Sequence, residues 1–166
     1  MKQLALIIDH FACYGCYACE VACKQENGAD FGVKLIQVGE DGPRQINGKL
    51  DFQFDVNACL HAACEDTPCV YACPDDTISI RDDGIVVMDE RTCTGCEACV
   101  PECPTDAIRI NGNSMITEKC NLCYHRVDEG LMPACADNVC LAHCIYFGDP
   151  DDIAVEITQK RALLRA

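Results

Sequence analysis

Residues 93–104 have the sequence Cys-Thr-Gly-Cys-Glu-Ala-Cys-Val-Pro-Glu-Cys-Pro, with cysteines at positions 93, 96, 99 and 103. Three cysteines spaced three positions apart wrap a tight loop around one small inorganic core. The fourth is followed by a proline that ends the turn, and it points away from that core. The spacing C-x2-C-x2-C-x3-C-P therefore predicts a metal site that sends one ligand to a neighbouring site.

The same spacing favours iron–sulfur chemistry over the two other common uses of cysteine. It is the run that holds [4Fe–4S] clusters in bacterial two-cluster ferredoxins, where the fourth cysteine ligates the other cluster. Disulfides are a poor alternative, because cysteines this close cannot all pair locally with good geometry and the total of seventeen is odd. A structural zinc site usually has two C-x2–4-C hooks, and not a triplet with a distant fourth ligand.

Three further cysteine groups repeat this pattern, so the chain contains an internal repeat. The first group, residues 13–23, has the spacing C-x2-C-x2-C-x3-C. The second, residues 59–74, has C-x4-C-x4-C-x3-C-P. The fourth, residues 120–144, has C-x2-C-x11-C-x4-C-x3-C and contains one cysteine more than four clusters need. The repeat predicts four [4Fe–4S] clusters.

Crossed ligation, in which the last cysteine of one group serves the cluster of its partner group, predicts the ligand sets. Groups two and three form an inner pair and groups one and four an outer pair. The predicted iron ligands are Cys13, Cys16, Cys19 and Cys144 for cluster A; Cys59, Cys64, Cys69 and Cys103 for cluster B; Cys73, Cys93, Cys96 and Cys99 for cluster C; and Cys23, Cys120, Cys123 and Cys135 for cluster D.

The elements between these groups are short, which predicts a loop-rich α+β chain of two intertwined ferredoxin-like units. Apolar residues 4–9 are typical of a strand, and turn residues at 82–84 and 111–113 indicate hairpins that join 77–81 to 85–89 and 108–110 to 115–117. Residues 17–24, 97–103 and 155–164 are expected to be short helices. Residues 25–51 hold five of the eleven glycines and are expected to be a loop with one hairpin near 33–38.

We predict a single domain over residues 1–166, because no low-complexity linker separates its parts. The inner unit would span about 52–112, and the outer unit about 1–30 plus 113–150. Residues 25–51 would connect the two, and residues 151–166 would form a C-terminal helix.

Composition narrows the possible partners and the compartment. The net charge of −14 argues against nucleic acid and anionic membrane surfaces. The N-terminal apolar run, residues 4–8, is too short for a signal peptide or a membrane span, so a cytoplasmic location is expected. With no Trp and few aromatic residues the apolar core is thin, and bound metal is expected to supply folding free energy.

The order of the motifs resembles the four-cluster iron–sulfur subunits of molybdenum and tungsten oxidoreductases. These accompany the catalytic subunits of dimethyl sulfoxide reductase and formate dehydrogenase, and occur with tungsten aldehyde oxidoreductase and class II benzoyl-CoA reductase. The resemblance covers nearly the whole chain and includes the run Cys120-Asn-Leu-Cys123-Tyr-His-Arg126 and the sequence Phe147-Gly-Asp-Pro150. The short chain favours a soluble complex of the tungsten type over a quinone-linked one.

The sequence departs from this family in groups two and four, which leaves two ligand alternatives. His61 stands three residues before Cys64, where the family has a cysteine, so His61 is an alternative to Cys59 in cluster B. In group four, Cys140 and Cys144 compete for one place on cluster A. We prefer Cys144 because residues 145–147 would lead directly into a strand, as the residues after Cys103 do.

Several polar residues flank the cysteines. For His10, His125 and His143 we expect hydrogen-bonding or solvent-exposed roles. Lys24, Lys119 and Arg126 are either ordinary surface charges or cations that favour the reduced, more negative cluster. No phosphate-binding loop and no nucleophile–base pair is present, so the chain is not expected to have an active site of its own.

These features predict an electron-transfer subunit that carries single electrons between a molybdenum or tungsten pterin partner and an electron donor or acceptor. A further flavin or other electron-transfer subunit is a possible additional partner. A chain of this length has a radius of gyration of about 15 Å, so four clusters inside it would lie on the order of 10 Å apart. The alternatives are a free-standing polyferredoxin that diffuses between enzymes and a structural zinc module.

Overall fold

The computed structural model describes residues 2–163, and there the chain forms eight strands, four helices and a 3-10 turn at His10–Ala12. All the sheets are antiparallel pairs of strands, which confirms the α+β class. The strands are β1 (Ala5–Ile8), β2 (Ile36–Ile46), β3 (Lys49–Ala58), β4 (Ile78–Ile80), β5 (Val86–Met88), β6 (Ile108–Ile110), β7 (Thr117–Lys119) and β8 (Ile145–Gly148). The helices are α1 (Ala18–Asn27), α2 (Pro68–Ala72), α3 (Tyr124–Val127) and α4 (Pro150–Leu163).

Strand β1 pairs with β8, so the beginning and the end of the cysteine-rich region lie side by side. The register places Ala5 opposite Gly148 and Ile8 opposite Ile145. Ala5 and Leu6 are fully buried. The predicted strand at residues 4–9 is thus confirmed, and its pairing brings the first and fourth cysteine groups together.

Two short hairpins lie where the turn residues predicted them. Between β4 and β5, Gly84 has φ +82°, which a residue with a side chain rarely adopts, and the N–H of Arg81 donates to the carbonyl of Ile85. Between β6 and β7 the loop is longer than predicted, because the Asn111 side chain accepts the N–H groups of residues 113 and 114. Strand β7 therefore begins at Thr117 and not at residue 115.

The prediction for residues 25–51 was partly wrong, since most of the segment belongs to a long hairpin. Strands β2 and β3 pair along Ile36–Ala58, well beyond the expected hairpin near 33–38. Asn47 and Gly48 form the tip with φ values of +52° and +78°. Both values are required for a type I′ turn, for which Asn-Gly is a preferred sequence.

The helix predicted at residues 97–103 is absent; within the described chain this segment forms turns. The N–H of Val100 donates to the carbonyl of Glu97, and that of Cys103 to the carbonyl of Val100. Both bonds span three residues, as in isolated turns. Pro101 has no N–H to donate, which prevents the bond that a continuing helix would need at that position.

Helix α4 confirms the expected C-terminal helix, and it begins at Pro150, one residue before the predicted C-terminal segment 151–166 and five before the predicted helical core 155–164. Asp149 caps it, because its carboxylate accepts the N–H of Asp151, and Pro150 occupies the first helical position, where proline is tolerated. The Arg161 guanidinium connects the helix to the end of β1, because it donates to the buried carboxylate of Asp9 at 2.7 and 3.3 Å. The predicted end of the helix, residues 164–166, lies outside the described residues.

The core is built as much from cysteine as from aliphatic side chains. Ten of the seventeen cysteines are buried. The larger apolar cluster combines cysteines of groups one and four with aliphatic residues that include Leu6, Ile36, Ile85 and Leu122. A smaller cluster joins Ile78, Val86 and Ile108 to cysteines of groups two and three. Because the cysteine sulfurs lie inside these clusters, the packing that stabilises the fold also positions the thiols.

Candidate iron–sulfur sites

The four predicted ligands of cluster C line one small cavity. Cys73 comes from the end of α2, and the loop between β5 and β6 supplies Cys93, Cys96 and Cys99. Four thiols from two sequence groups thus face a common space. This donor set fits a [4Fe–4S] cluster, which would take one cysteine thiolate at each of its four irons.

Threonine side chains add hydrogen bonds to the cluster C thiols. The Thr77 hydroxyl lies 3.1 Å from Sγ of Cys73, and the Thr117 hydroxyl lies 3.4 Å from Sγ of Cys93. Burial alone would raise the pKa of Cys73 and of Cys93, but these and the backbone hydrogen bonds outweigh it and lower both pKa values. The thiolate, which is the iron-binding form, is therefore favoured at these two positions.

The predicted ligands of cluster B also lie near one another. Burial raises the pKa of Cys64, and the negative charges of Cys59 and Cys103 raise it further. The same two thiols act on Cys69, whose pKa burial raises to about 11. Cys103 thus joins the second cysteine group, although it follows the third group in sequence, as crossed ligation predicts.

For cluster D, Asn27 marks the meeting of the first and fourth groups. Its side-chain amide lies 3.6 Å from Sγ of Cys23 and 3.8 Å from Sγ of Cys123. Burial raises the pKa of Cys135, and the charges of Cys120, Cys23 and Cys123 add to that increase. These four cysteines are the predicted set.

At cluster A the structure brings both candidate ligands of group four to the first group. Sγ of Cys140 lies 3.4 Å from Sγ of Cys144, too far for a disulfide bond. Burial, with a smaller contribution from the charges of Cys140, Cys16 and Cys13, raises the pKa of Cys19 to about 12. Proximity alone therefore does not separate the two candidates.

A repeated backbone arrangement does separate them. At Cys73, Cys103 and Cys140, Sγ accepts the backbone N–H of the residue four positions later, at 3.4, 3.2 and 3.4 Å. In each case the residue three positions later has a left-handed φ, between +47° and +52°. Cys140 thus has the local conformation of the last cysteines of groups two and three.

The distance in sequence from the cysteine to the following strand also favours Cys140, whereas the sequence alone favoured Cys144. Strands β4, β6 and β8 begin five residues after Cys73, Cys103 and Cys140 respectively. Cys144 lies one residue before β8, where the other repeats have Thr77 and Ala107. Cys144, which leads directly into its strand, is therefore in the position of those two residues, and Cys140 is in the position of Cys73 and Cys103.

His61 is fully buried, and its ring contacts Cys120 of the predicted cluster D set. Its Nε2 is 3.5 Å from Sγ of Cys120, while Nδ1 is 3.1 Å from the N–H of Val86, which can only donate. Nδ1 is therefore the acceptor, and the proton of a neutral ring is on Nε2, facing the sulfur. Burial, together with the charge of Lys119, holds the pKa of His61 well below its usual value.

The three cations beside the cysteines have different environments. Arg126 forms ion pairs with Glu26 at 3.0 Å and Asp137 at 2.8 Å. Lys24 donates to the carbonyls of residues 30 and 33 near the surface. Lys119 is only 5% exposed, and within residues 2–163 no carboxylate pairs with it; its ammonium donates to the carbonyls of Val86 and Cys120 at 2.6 and 2.7 Å.

The remaining histidines have hydrogen-bonding roles at most, as expected. Nδ1 of His10 accepts the N–H of Val56, and Nε2 of His125 lies 2.8 Å from Glu26. The His143 side chain is exposed, and its backbone carbonyl accepts a hydrogen bond from the Lys160 ammonium. Sequence reasoning missed Asn27 and Thr77, which contact cysteine sulfur from four positions after a cysteine. That spacing was a usable signal.

Within residues 2–163, no helix has both the length and the apolar character needed to cross a lipid bilayer.

Comparison with known proteins matches residues 50–150 to the family described as the 4Fe-4S dicluster domain. The chain is 36% identical to one of the subunits of the polysulfide reductase of Wolinella succinogenes, over 97% of this chain and 84% of that protein. It is 36% identical to one of the subunits of the tetrathionate reductase of Salmonella typhimurium, over 98% of this chain and 66% of that protein. It is 33% identical to the iron–sulfur subunit of the nitrate-inducible formate dehydrogenase of Escherichia coli, over 99% of this chain and 60% of that protein.

These relatives include a subunit of one of the enzyme types to which the motif order pointed, a formate dehydrogenase. The family match extends over more than half of the chain and includes all of groups two, three and four. The chain therefore belongs to the 4Fe-4S dicluster domain family of iron–sulfur proteins.

Proposed function

We propose that the chain is an electron-transfer subunit that connects the catalytic subunit of an oxidoreductase to a second redox partner through four [4Fe–4S] clusters. When bound, each cluster supplies one-electron redox chemistry. The arrangement of the cysteine sets carries this proposal, because each set adjoins the next in a single series. The chain itself would hold, space and electrostatically tune the clusters, and the catalytic site would lie in the partner.

The series runs A–D–B–C. Cys19 of set A is close enough to Cys135 of set D to contribute, after burial and nearer thiols, to its raised pKa. Cys120 of set D packs with Cys59 of set B in one apolar cluster. Sets B and C meet in another, where Cys69 packs with the cysteines of group three. Sets A and C are thus the two ends of the proposed path.

We propose Cys140 as the fourth ligand of cluster A, in place of Cys144. The other fifteen ligands are those predicted from the sequence. Each crossed pair, A with D and B with C, would then be one ferredoxin-like unit, and the two units would be joined between Cys120 and Cys59. What supports the assignment is the repeated N–H···S bond and the strand offset at Cys73, Cys103 and Cys140.

For the partner, we propose a catalytic subunit of the molybdenum or tungsten pterin class. The named relatives belong to a polysulfide reductase, a tetrathionate reductase and a formate dehydrogenase. The chain's own residues support a role without catalysis, since the polar side chains at the thiols are engaged in hydrogen bonds or ion pairs. The substrate class that fits these relatives is a small oxidised sulfur compound or formate.

Anaerobic purification of the tagged chain from its native cells tests the proposal. We expect a larger catalytic subunit to co-purify and its substrate to oxidise or reduce the clusters, seen as a change in visible absorbance. In a matched preparation, Cys96→Ser should retain the partner while interrupting electron flow at set C. A chain that elutes alone, or clusters that do not respond to the partner's substrate, would contradict the proposal.

A further inference from the structure

The junction between the two units contains a buried cation that has no carboxylate partner. Lys119 is the last residue of β7 and directly precedes Cys120 of set D. A buried lysine is rare unless its charge is compensated. Across residues 2–163 its ammonium meets two carbonyl oxygens and no acidic side chain. Bound clusters, which carry negative charge with four thiolates each, would supply the missing compensation.

The charge of Lys119 acts on the cysteines of two sets. On the set B side, its ammonium donates at 2.6 Å to the carbonyl of Val86, a residue that packs with Cys69 in one apolar cluster. On the set D side, it donates at 2.7 Å to the carbonyl of Cys120, which itself packs with Cys59 of set B. One ammonium therefore favours negative charge on both sides of the junction.

The His61 ring contacts a sulfur of set D. Its ring is fixed at Nδ1 by the N–H of Val86, so the proton on Nε2 points at Sγ of Cys120, 3.5 Å away. Hydrogen bonds to the sulfur ligands are among the features that set cluster potentials. The same Val86 also accepts Lys119 through its carbonyl, so one peptide segment of β5 positions both polar groups.

We propose that Lys119 and His61 raise the reduction potentials of clusters D and B, and so govern the electron step between the two ferredoxin-like units. Lys119 favours the reduced, more negative form of both clusters, and His61 favours the reduced form of cluster D through its contact with Cys120. Both are positioning residues that act through the cysteines. The role of electron transfer between clusters D and B rests on the proposed function, whereas the reduction potentials can be measured on the isolated chain.

The test is a redox titration of the reconstituted or anaerobically purified chain, followed by electron paramagnetic resonance, after iron content has confirmed four clusters. Lys119→Gln removes the charge and keeps amide donors for the two carbonyls. We expect it to lower two of the four midpoint potentials. His61→Leu should lower one of those same two, and His61→Gln, which retains a donor, should restore that potential most of the way.

Lys24 provides the matched control, since it also follows a cluster cysteine but lies near the surface. Lys24→Gln should leave all four potentials close to those of the unchanged chain. The proposal is overturned if Lys119→Gln shifts no potential, if it shifts all four equally, or if the histidine and lysine variants affect different clusters. Should Lys119→Gln fail to assemble its clusters, His61→Leu decides: a lowered potential at one cluster supports the proposal and an unchanged set refutes it.

Failure of this test is distinct from failure of the proposed function. Unchanged potentials in a chain that still co-purifies with a catalytic subunit would refute only the role of Lys119 and His61. A chain without a partner would refute the proposed function and leave the measured potentials valid.

Discussion

The backbone N–H of Cys144 donates a hydrogen bond to Sγ of Cys140 at 3.4 Å. The same bond joins Ala107 to Cys103 and Thr77 to Cys73. Two neighbouring cysteines of group four thus have different places in the repeat, one as acceptor and one as donor. The mutational predictions for group four follow from this difference.

Replacing Cys140 should remove or convert one cluster, and replacing Cys144 should not. In Cys140→Ser the first group loses its fourth thiolate, so we expect about twelve irons per chain, or a three-iron centre. Cys144→Ala keeps the backbone N–H that faces Cys140 and places alanine where the inner unit has Ala107, so about sixteen irons should remain. Iron analysis of both variants checks this, and the opposite pattern would restore Cys144 as the ligand.

Crossed ligation makes a second prediction for the inner unit. Cys73→Ala should damage the cluster held by the third group, because Cys73 lines the cavity formed by Cys93, Cys96 and Cys99. Cys103→Ala should damage the cluster of the second group. Paramagnetic spectra of the two variants should therefore lose different signals. If each variant lost the cluster of its own sequence group, the crossed model would be wrong.

The ion pair between Asp9 and Arg161 should hold α4 against β1. Arg161→Ala leaves the Asp9 carboxylate, 5% exposed, without its partner, which should weaken the contact between α4 and the end of β1. Hydrogen exchange of the α4 amides should become about fivefold faster. Arg161→Lys, which retains the charge, should lose less. Unchanged exchange in the alanine variant would mean that packing alone holds the helix.

The pH dependence of this contact follows from the lowered pKa of Asp9, which the hydrogen bond from Arg161 causes. A carboxyl whose folded pKa is depressed stabilises the fold above its unfolded pKa, here near 3.8, and loses that contribution as the pH falls through the folded value. The difference in hydrogen-exchange protection of α4 between the unchanged chain and Arg161→Ala should therefore be constant from pH 6 to pH 8. A marked change within that range would show that another group controls the contact.

Cluster removal should abolish cooperative folding. Ten buried cysteines lie in a core of short strands, and metal ligation that exists only in the folded state is folding free energy. Chelation under reducing conditions should give an apoprotein without the thermal transition of the loaded protein, measured by circular dichroism. An apoprotein that unfolded cooperatively near the same temperature would show that the aliphatic core is sufficient for cooperative folding without clusters.

Features with a local chemical cause could be predicted from the sequence. The triplet spacing, the turn at Gly84 and the strand at β1 depend on residues close to one another in the chain. The long β2–β3 hairpin could also have been found, because Asn47-Gly48 is a strong turn signal between two polar stretches. It was missed because the many glycines nearby favoured a loop.

Features that depend on distant contacts could not be predicted. Nothing near His61 in the sequence indicates that its ring contacts Cys120, which the packing of β5 decides. Likewise, Lys119, Lys24 and Arg126 all stand beside cysteines, and only tertiary structure separates the buried cation from the two near the surface. The proposed choice of Cys140 over Cys144 depends on the strand offset in the folded chain, since residues 145–147 are suitable for a strand in either register.

Iron and acid-labile sulfide analysis of the anaerobically prepared chain tests the central claim most directly. Four [4Fe–4S] clusters predict about sixteen irons and about sixteen sulfides per chain. A result near these values, with the broad visible absorbance of iron–sulfur protein, would support four occupied cysteine sets. Twelve irons or fewer in an undamaged preparation would contradict the account, because at least one of the four sets would then hold no cube.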